Sequence, residues 1–274
     1  MRFAILALLF VFTAPALAQT TERAYGADPR QRLDFTPAER RGAALVLFVH
    51  GGAWSFGDKR AAAHMAAHFH AQGYAFASIN YRLVPNATVE QQAEDVAAAL
   101  ASLARDAAAL RVDARRMILI GHSAGAHLAA LVGTDPRYLA RHRLAVGTID
   151  GVILLDGAGY DVPRQIADAG PLLRRMYVNA FGSDEPAQRR LSPVTHAAAP
   201  NAPSFMIIHS SRRADSTAQS RSFAQALTNG RSAVVVTPVD DSHSGIFRRF
   251  GQPGHRTTEE VDAFAQMVLA AAGP

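Results

Sequence analysis

Met117-Ile118-Leu119-Ile120-Gly121-His122-Ser123-Ala124-Gly125-Ala126-His127-Leu128-Ala129-Ala130-Leu131 is the stretch whose reading decides the fold. The aliphatic run 117–120 predicts a buried strand, and the Ala/Leu segment after Gly125 predicts a helix. Between them, G-x-S-x-G predicts a sharp turn that holds Ser123 in a strained backbone conformation with its Oγ exposed above a sheet. Gly121 and Gly125 lack the side chains that would keep strand and helix apart at such a turn. The pentapeptide alone is a common pattern. Its setting between strand and helix makes Ser123 a nucleophile candidate.

Outward from this unit, strand-like and helical runs alternate. Leu45–Val49 reads as a strand, Arg60–Gln72 as a helix, Tyr74–Tyr81 as a strand, and Val89–Leu110 as one long Ala-rich helix. Strands follow at Val152–Leu155, Phe205–His209 and Ala233–Val239, with helices at Ala218–Leu227 and Thr257–Ala272. This alternation predicts an α/β fold, a mostly parallel sheet covered by helices on both faces. Ligands of such sheets bind at the carboxyl ends of the strands. The chain of 274 residues, 49% hydrophobic, suffices for one sizeable domain over 19–274.

A hydrolytic serine also needs oxyanion donors, a base, and an acid to orient the base. His50-Gly51-Gly52-Ala53-Trp54 ends the strand at 45–49, and a glycine-rich turn there can aim unpaired N–H groups into a cleft. The N–H groups of Gly52 and Ala53, with that of Ala124 after the nucleophile, are the expected donors. His243, in the small polar segment Asp240–Gly245 after the last strand, is the expected base, since imidazole titrates in the range that general-base work near neutrality requires. For the acid, Asp215 lies between the strand at 205–209 and the next helix, so it is the expected residue, although an aspartate there can equally cap the helix. Asp241 is the second candidate, very close to His243 in sequence. Asp156, after the strand at 152–155, is the third.

These residues resemble the α/β-hydrolase superfamily, and within it the small esterases with an H-G-G-x-W oxyanion motif and a G-x-S-x-G nucleophile elbow. The likeness extends from Tyr25-Gly26 and Arg32–Phe35, through Gly57-Asp58-Lys59, to Phe181-Gly182 and Ser192-Pro193. The resemblance implies a serine esterase acting on small-molecule carboxylic esters through an acyl-enzyme, with no cofactor and no metal. Ser123 matches the nucleophile and His243 the base. Asp215 matches the acid by topology only, because Ser211-Arg212-Arg213 replaces the usual spacing after the strand. An arylformamidase-like amide hydrolase and a non-catalytic binding protein on the same fold are the alternatives.

Residues 1–18 read as a secretory signal peptide: Arg2, an apolar run from Phe3 to Phe12, and Ala16-Leu17-Ala18 before Gln19. The run falls short of the roughly 20 residues of a membrane span, so the expectation is an exported, periplasmic or secreted protein without a stable membrane anchor. There is no cysteine, which excludes disulfides. The net charge is +5, but Lys59 is the only lysine and the arginines are scattered, which argues against nucleic-acid binding. His64 and His68 share a helix face without the glutamate of a H-E-x-x-H zinc motif. His122 and His127, beside the nucleophile, are expected to pack rather than act as base. In the segment 157–196, Tyr160, Leu172, Leu173, Met176, Tyr177 and Phe181 are candidates for a substrate pocket.

Overall fold

A computed structural model describes residues 19–198 and 200–271; the segment 1–18, expected to be a signal peptide, lies outside them. One sheet runs through the molecule, made of β1 (Thr21–Ala24), β2 (Arg32–Thr36), β3 (Ala43–Val49), β4 (Ala75–Ile79), β5 (Val112–His122), β6 (Gly151–Leu155), β7 (Ser204–Ser210) and β8 (Ala233–Val239). Their order across the sheet is β1-β2-β4-β3-β5-β6-β7-β8. β1 and β2 are antiparallel additions at one edge, and every pairing from β4 to β8 is parallel. The helices are α1 (Ala63–Ala71), α2 (Val89–Arg105), α3 (Ala107–Leu110), α4 (Ala124–Thr134), α5 (Pro136–Ala140), α6 (Val162–Asp168), α7 (Pro171–Phe181), α8 (Glu185–Arg190), α9 (Ala214–Asn229), α10 (His243–Arg248) and α11 (Arg256–Ala271). No described helix is long and apolar enough to cross a membrane.

The central strands are apolar at every position because both faces of the sheet are covered. Leu45, Leu47, Val49, Leu119 and Leu154 point to one side, where they meet Val96 and Leu100 of α2, Leu128 and Leu131 of α4, and Phe223 of α9. Val46, Phe48, Ile118, Ile120 and Ile153 point to the other, against Met65 and Phe69 of α1 and Val261, Phe264 and Val268 of α11. Each such side chain, withdrawn from water, stabilises the fold by about 1.5–3 kcal/mol before the cost of ordering the chain.

One helical expectation is corrected. The segment 89–110 is two helices, not one. A Thr88/Gln91 capping box starts α2, and the chain turns at Asp106, whose carboxylate is drawn to Arg23 of β1 at 3.0 Å. The short α3 then closes on Arg111 in the left-handed region, φ 62°.

The parallel strands end level with one another. Val49 pairs with Gly121, His122 with Leu155, Leu155 with Ile208, and Ser210 with Val239. The segments that follow, at residues 50–54, 123, 156, 211–213 and 240–243, therefore gather along one sheet edge. This is where an open parallel sheet leaves a crevice.

Candidate active site

Ser123 sits between β5 and α4 with φ 56° and ψ −120°, a conformation that side chains rarely adopt. The surroundings hold it there. Its N–H donates to the Leu155 carbonyl at 3.0 Å, and the whole of α4 is buried behind it. The two flanking glycines are required by contact: a Cβ on Gly121 would lie 2.2 Å from the Gly125 carbonyl oxygen, and one on Gly125 would lie 2.1 Å from that of Val49. Strand and helix thus touch backbone to backbone, and the serine hydroxyl is left at the apex.

His243 reaches this hydroxyl from the far edge of the sheet. It is the first residue of α10 rather than part of a loop, and Ser242 caps that helix by accepting from the Gly245 N–H at 3.0 Å. His243 Nε2 lies 3.0 Å from Ser123 Oγ, and Nδ1 lies 2.6 Å from Oδ2 of Asp156. With its proton on Nδ1, donated to the carboxylate, the ring presents a lone pair on Nε2 to the serine O–H.

The carboxylate at the imidazole is therefore that of Asp156, not Asp215, which corrects the sequence expectation. Asp156 directly follows β6, the neighbour of β5, which leads into Ser123, with φ 44°. Asp215 lies in the first turn of α9, where Oδ2 accepts from Arg213 Nη2 at 2.8 Å and Gln165 Nε2 at 3.3 Å. Asp241 is likewise turned elsewhere, toward Arg249 and His255 Nε2. Asp156 is fully buried, and four donors converge on it. Ser210 N–H (2.9 Å) and Ser216 O–H (2.5 Å) bond Oδ1; His243 Nδ1 and Arg213 Nη1 (2.8 Å) share Oδ2. Burial alone would push this carboxyl up, but the His243 hydrogen bond, the Arg213 charge and the two serine donors outweigh it and hold it well below the usual carboxylate range.

The other histidines nearby are supports. Burial, helped by the neighbouring His243, brings His122 down to about 4, so it is neutral near pH 7. Its Nε2 donates to the His243 carbonyl at 3.0 Å, and its ring lies against His243 (4.7 Å between centroids) and Phe247 (5.1 Å). His127, also brought down to about 4 by burial, donates from Nε2 to the Leu191 carbonyl and accepts from Trp54 Nε1 at 3.3 Å. Through that indole, which also packs edge-on to Phe181 at 4.6 Å, the segment after β3 is tied to α4 and α7.

That segment is strained as well. Gly52, Ala53 and Trp54 all have positive φ (123°, 50° and 60°), and Ser55 and Phe56 N–H groups fold back on the Gly52 carbonyl. Gly51 lies so close to the elbow that a Cβ on it would be 2.9 Å from Ser123 Cβ. The N–H groups of Gly52, Ala53 and Ala124 donate to no acceptor among the described residues. Gly52 and Ala53 line a cleft of about 610 Å³ that opens over Ser123 and His243. Its lining includes the apolar Trp54, Phe56, Leu173, Met176, Tyr177 and Phe247, together with Arg213. Of the other pocket candidates, Tyr160 and Phe181 are buried in the core and Leu172 is exposed. His64, His68 and His70 bond separately to the Phe247 carbonyl, Asp262 and the Pro37 carbonyl, and no metal-like cluster occurs among the described residues.

The architecture matches solved esterases almost from end to end. Thermogutta terrifontis esterase 2, phosphonylated by sarin, superposes with a TM-score of 0.78 at 20% identity, over 93% of this chain and 96% of that one. Esterase B from Lactobacillus Rhamnosis superposes at 0.75 and 21% identity, over 95% and 87%. The chain has the α/β-hydrolase fold. A family model described as BD-FAE matches residues 33–143 of this chain, the part that holds the segment 50–54 and Ser123. It is 35% identical over 191 residues to the probable carboxylic ester hydrolase LipM of Mycobacterium tuberculosis, 66% of this chain and 42% of that protein. It is 28% identical over 240 residues to the isoprenylcysteine alpha-carbonyl methylesterase ICME of Arabidopsis thaliana, 81% of this chain and 56% of that protein. The chain spans about half the length of these two relatives.

Proposed function

We propose that this α/β-hydrolase cleaves small-molecule carboxylic esters through an acyl-enzyme on Ser123. The observation that carries this is the unbroken relay from Ser123 Oγ to His243 Nε2 at 3.0 Å and from His243 Nδ1 to Asp156 Oδ2 at 2.6 Å. His243 takes the hydroxyl proton as Oγ attacks the ester carbonyl carbon, and Asp156 stabilises the imidazolium that forms. The N–H groups of Gly52, Ala53 and Ala124 bind the developing oxyanion, a role in which the loss of one donor costs about 10²–10³ in rate. The imidazolium returns its proton to the alkoxide, and the alcohol leaves. Water then attacks the acyl carbon under the same base, which releases the carboxylic acid and restores Ser123.

An ester rather than an amide substrate is supported by the names of the relatives, which are carboxylic ester hydrolase, esterase and methylesterase. The apolar cleft walls support a substrate with a hydrophobic acyl or alcohol group. The leader at 1–18 supports export. The test is turnover of 4-nitrophenyl esters of graded acyl length beside an aryl formamide. Ester hydrolysis that disappears in Ser123→Ala is the expected result, and undiminished turnover in that variant would overturn the proposal.

A further inference from the structure

Arg213 has no part in the mechanism above, yet it reaches the middle of the relay. Its Nη1 donates to the same Asp156 oxygen that the imidazole uses, at 2.8 Å, and lies 3.0 Å from His243 Nδ1. Both of these nitrogens carry protons and both point at one oxygen, so the contact between them is a meeting of two donors around a shared acceptor. Nη2 is held by Asp215 at 2.8 Å, and Asp215 is in turn bonded by Gln165. The guanidinium is three-quarters buried, and although burial disfavours its charge, the two carboxylates more than compensate and keep it a cation. It stands in the loop after β7, where the sequence led one to expect the orienting acid.

We propose that Arg213 is a positioning residue for the base: anchored by Asp215, it pins Oδ2 of Asp156 and, as a permanent cation beside Nδ1, keeps the His243 imidazole in its neutral, proton-accepting form to lower pH. Asp156 favours the imidazolium and Arg213 opposes it, so the pair sets the pH at which the base becomes available. The groups that face the ring from each packed element are few. Asp156 comes from the end of β6, Arg213 from the segment before α9, and Ser123 and the neutral His122 from the end of β5. Within α10 the uncharged Phe247 stacks on His122, while Asp241 is occupied by Arg249 and His255, and Asp240 by Arg212. Arg213 is thus the one cation in contact with the ring among the described residues.

This inference rests on the proposed Ser123–His243 chemistry, so the test pairs an activity readout with one independent of turnover. The first is the acid limb of kcat/KM for 4-nitrophenyl acetate in the parent, Arg213→Gln, Arg213→Met and Arg213→Lys. The second is the titration of the His243 ring followed by NMR in a Ser123→Ala background with the same substitutions. A unit charge at this range in a half-screened site is worth about one pH unit or more. The acid limb and the ring titration should both rise by about one unit in the neutral variants and stay within about a third of a unit of the parent in Arg213→Lys. Coincident limbs in the parent and a folded neutral variant would overturn the proposal, as would a lysine variant that shifts as far as glutamine. If neither neutral variant folds while Arg213→Lys does, Arg213 is structural and the proposal also falls. A parent that hydrolyses no ester, with a His243 titration that still shifts, counts against the hydrolase function and leaves the role of Arg213 standing.

Discussion

Replacing Asp156 with asparagine separates the two carboxylates most sharply, and the hydrogen bonds around Asp156 set the size of the effect. Oδ1 accepts from Ser210 N–H and Ser216 O–H, so the carbonyl oxygen of an asparagine must stay on that side. Its NH₂ group then replaces Oδ2 and faces His243 Nδ1 and the Arg213 guanidinium, which are both donors there. The ring can only meet an NH₂ by accepting on Nδ1, which moves its proton to Nε2, toward Ser123 Oγ. A base in that tautomer cannot take the serine proton, and the loss expected for an orienting carboxylate is about 10⁴ in kcat, or about 5 kcal/mol on the barrier. Arg213 keeps Asp215 as a partner, so the fold should lose about 3 kcal/mol, the lower end for a broken buried pair. The assay is kcat for 4-nitrophenyl acetate well below the melting midpoint, with circular dichroism to confirm a folded variant. Asp215→Asn, whose carboxylate touches only Arg213 and Gln165, should lose less than about tenfold in the same assay. Four decades lost in Asp215→Asn with Asp156→Asn nearly intact would refute the assignment.

Three further outcomes follow from particular contacts. Gly125→Ala drives a Cβ into the Val49 backbone carbonyl, so it should cost about 3 kcal/mol or more by denaturant melts, since neither strand nor helix can yield cheaply. Because the Asp156 carboxyl is held below its ordinary value, its contribution to stability is present above about pH 4 and is lost as pH falls from there toward the folded value; urea melts between about pH 4 and 2 should decline less steeply in Asp156→Asn than in the parent. Phe56 is 72% exposed yet lines the cleft, so Phe56→Ala should change stability by less than about 0.5 kcal/mol and lower kcat/KM several-fold more for a hexanoate than for an acetate ester.

Much of this molecule was legible before any coordinates. The strand–turn–helix unit around Ser123, the glycine-rich turn after β3 and the alternation of elements rest on local signals: apolar runs, glycine at tight turns, helix-forming segments. That Ser123 and His243, 120 residues apart, lie at one edge of the sheet followed from the parallel arrangement that such alternation implies, whereas the strand order did not. The orienting carboxylate did not, because three aspartates lie near strand ends and sequence does not say which one turns inward. Asp156 differs from Asp215 in a long-range property: Ser210, Arg213, Ser216 and His243 all converge on it. One local signal was available in Ser211-Arg212-Arg213, since an arginine placed where the acid belongs requires a carboxylate of its own nearby. The split of the segment 89–110 at Asp106 was similarly hidden, and the Asp106 carboxylate there meets Arg23 from the remote strand β1.

The central claim is that Ser123 is a nucleophile activated by His243 and oriented through Asp156. Intact-protein mass spectrometry after treatment with a fluorophosphonate, followed by peptide mapping, tests it most directly. One adduct on Ser123, absent in Ser123→Ala and formed orders of magnitude more slowly in Asp156→Asn, is the expected result. No adduct on Ser123 in the folded parent, or labelling at equal rates in the parent and Asp156→Asn, would contradict it.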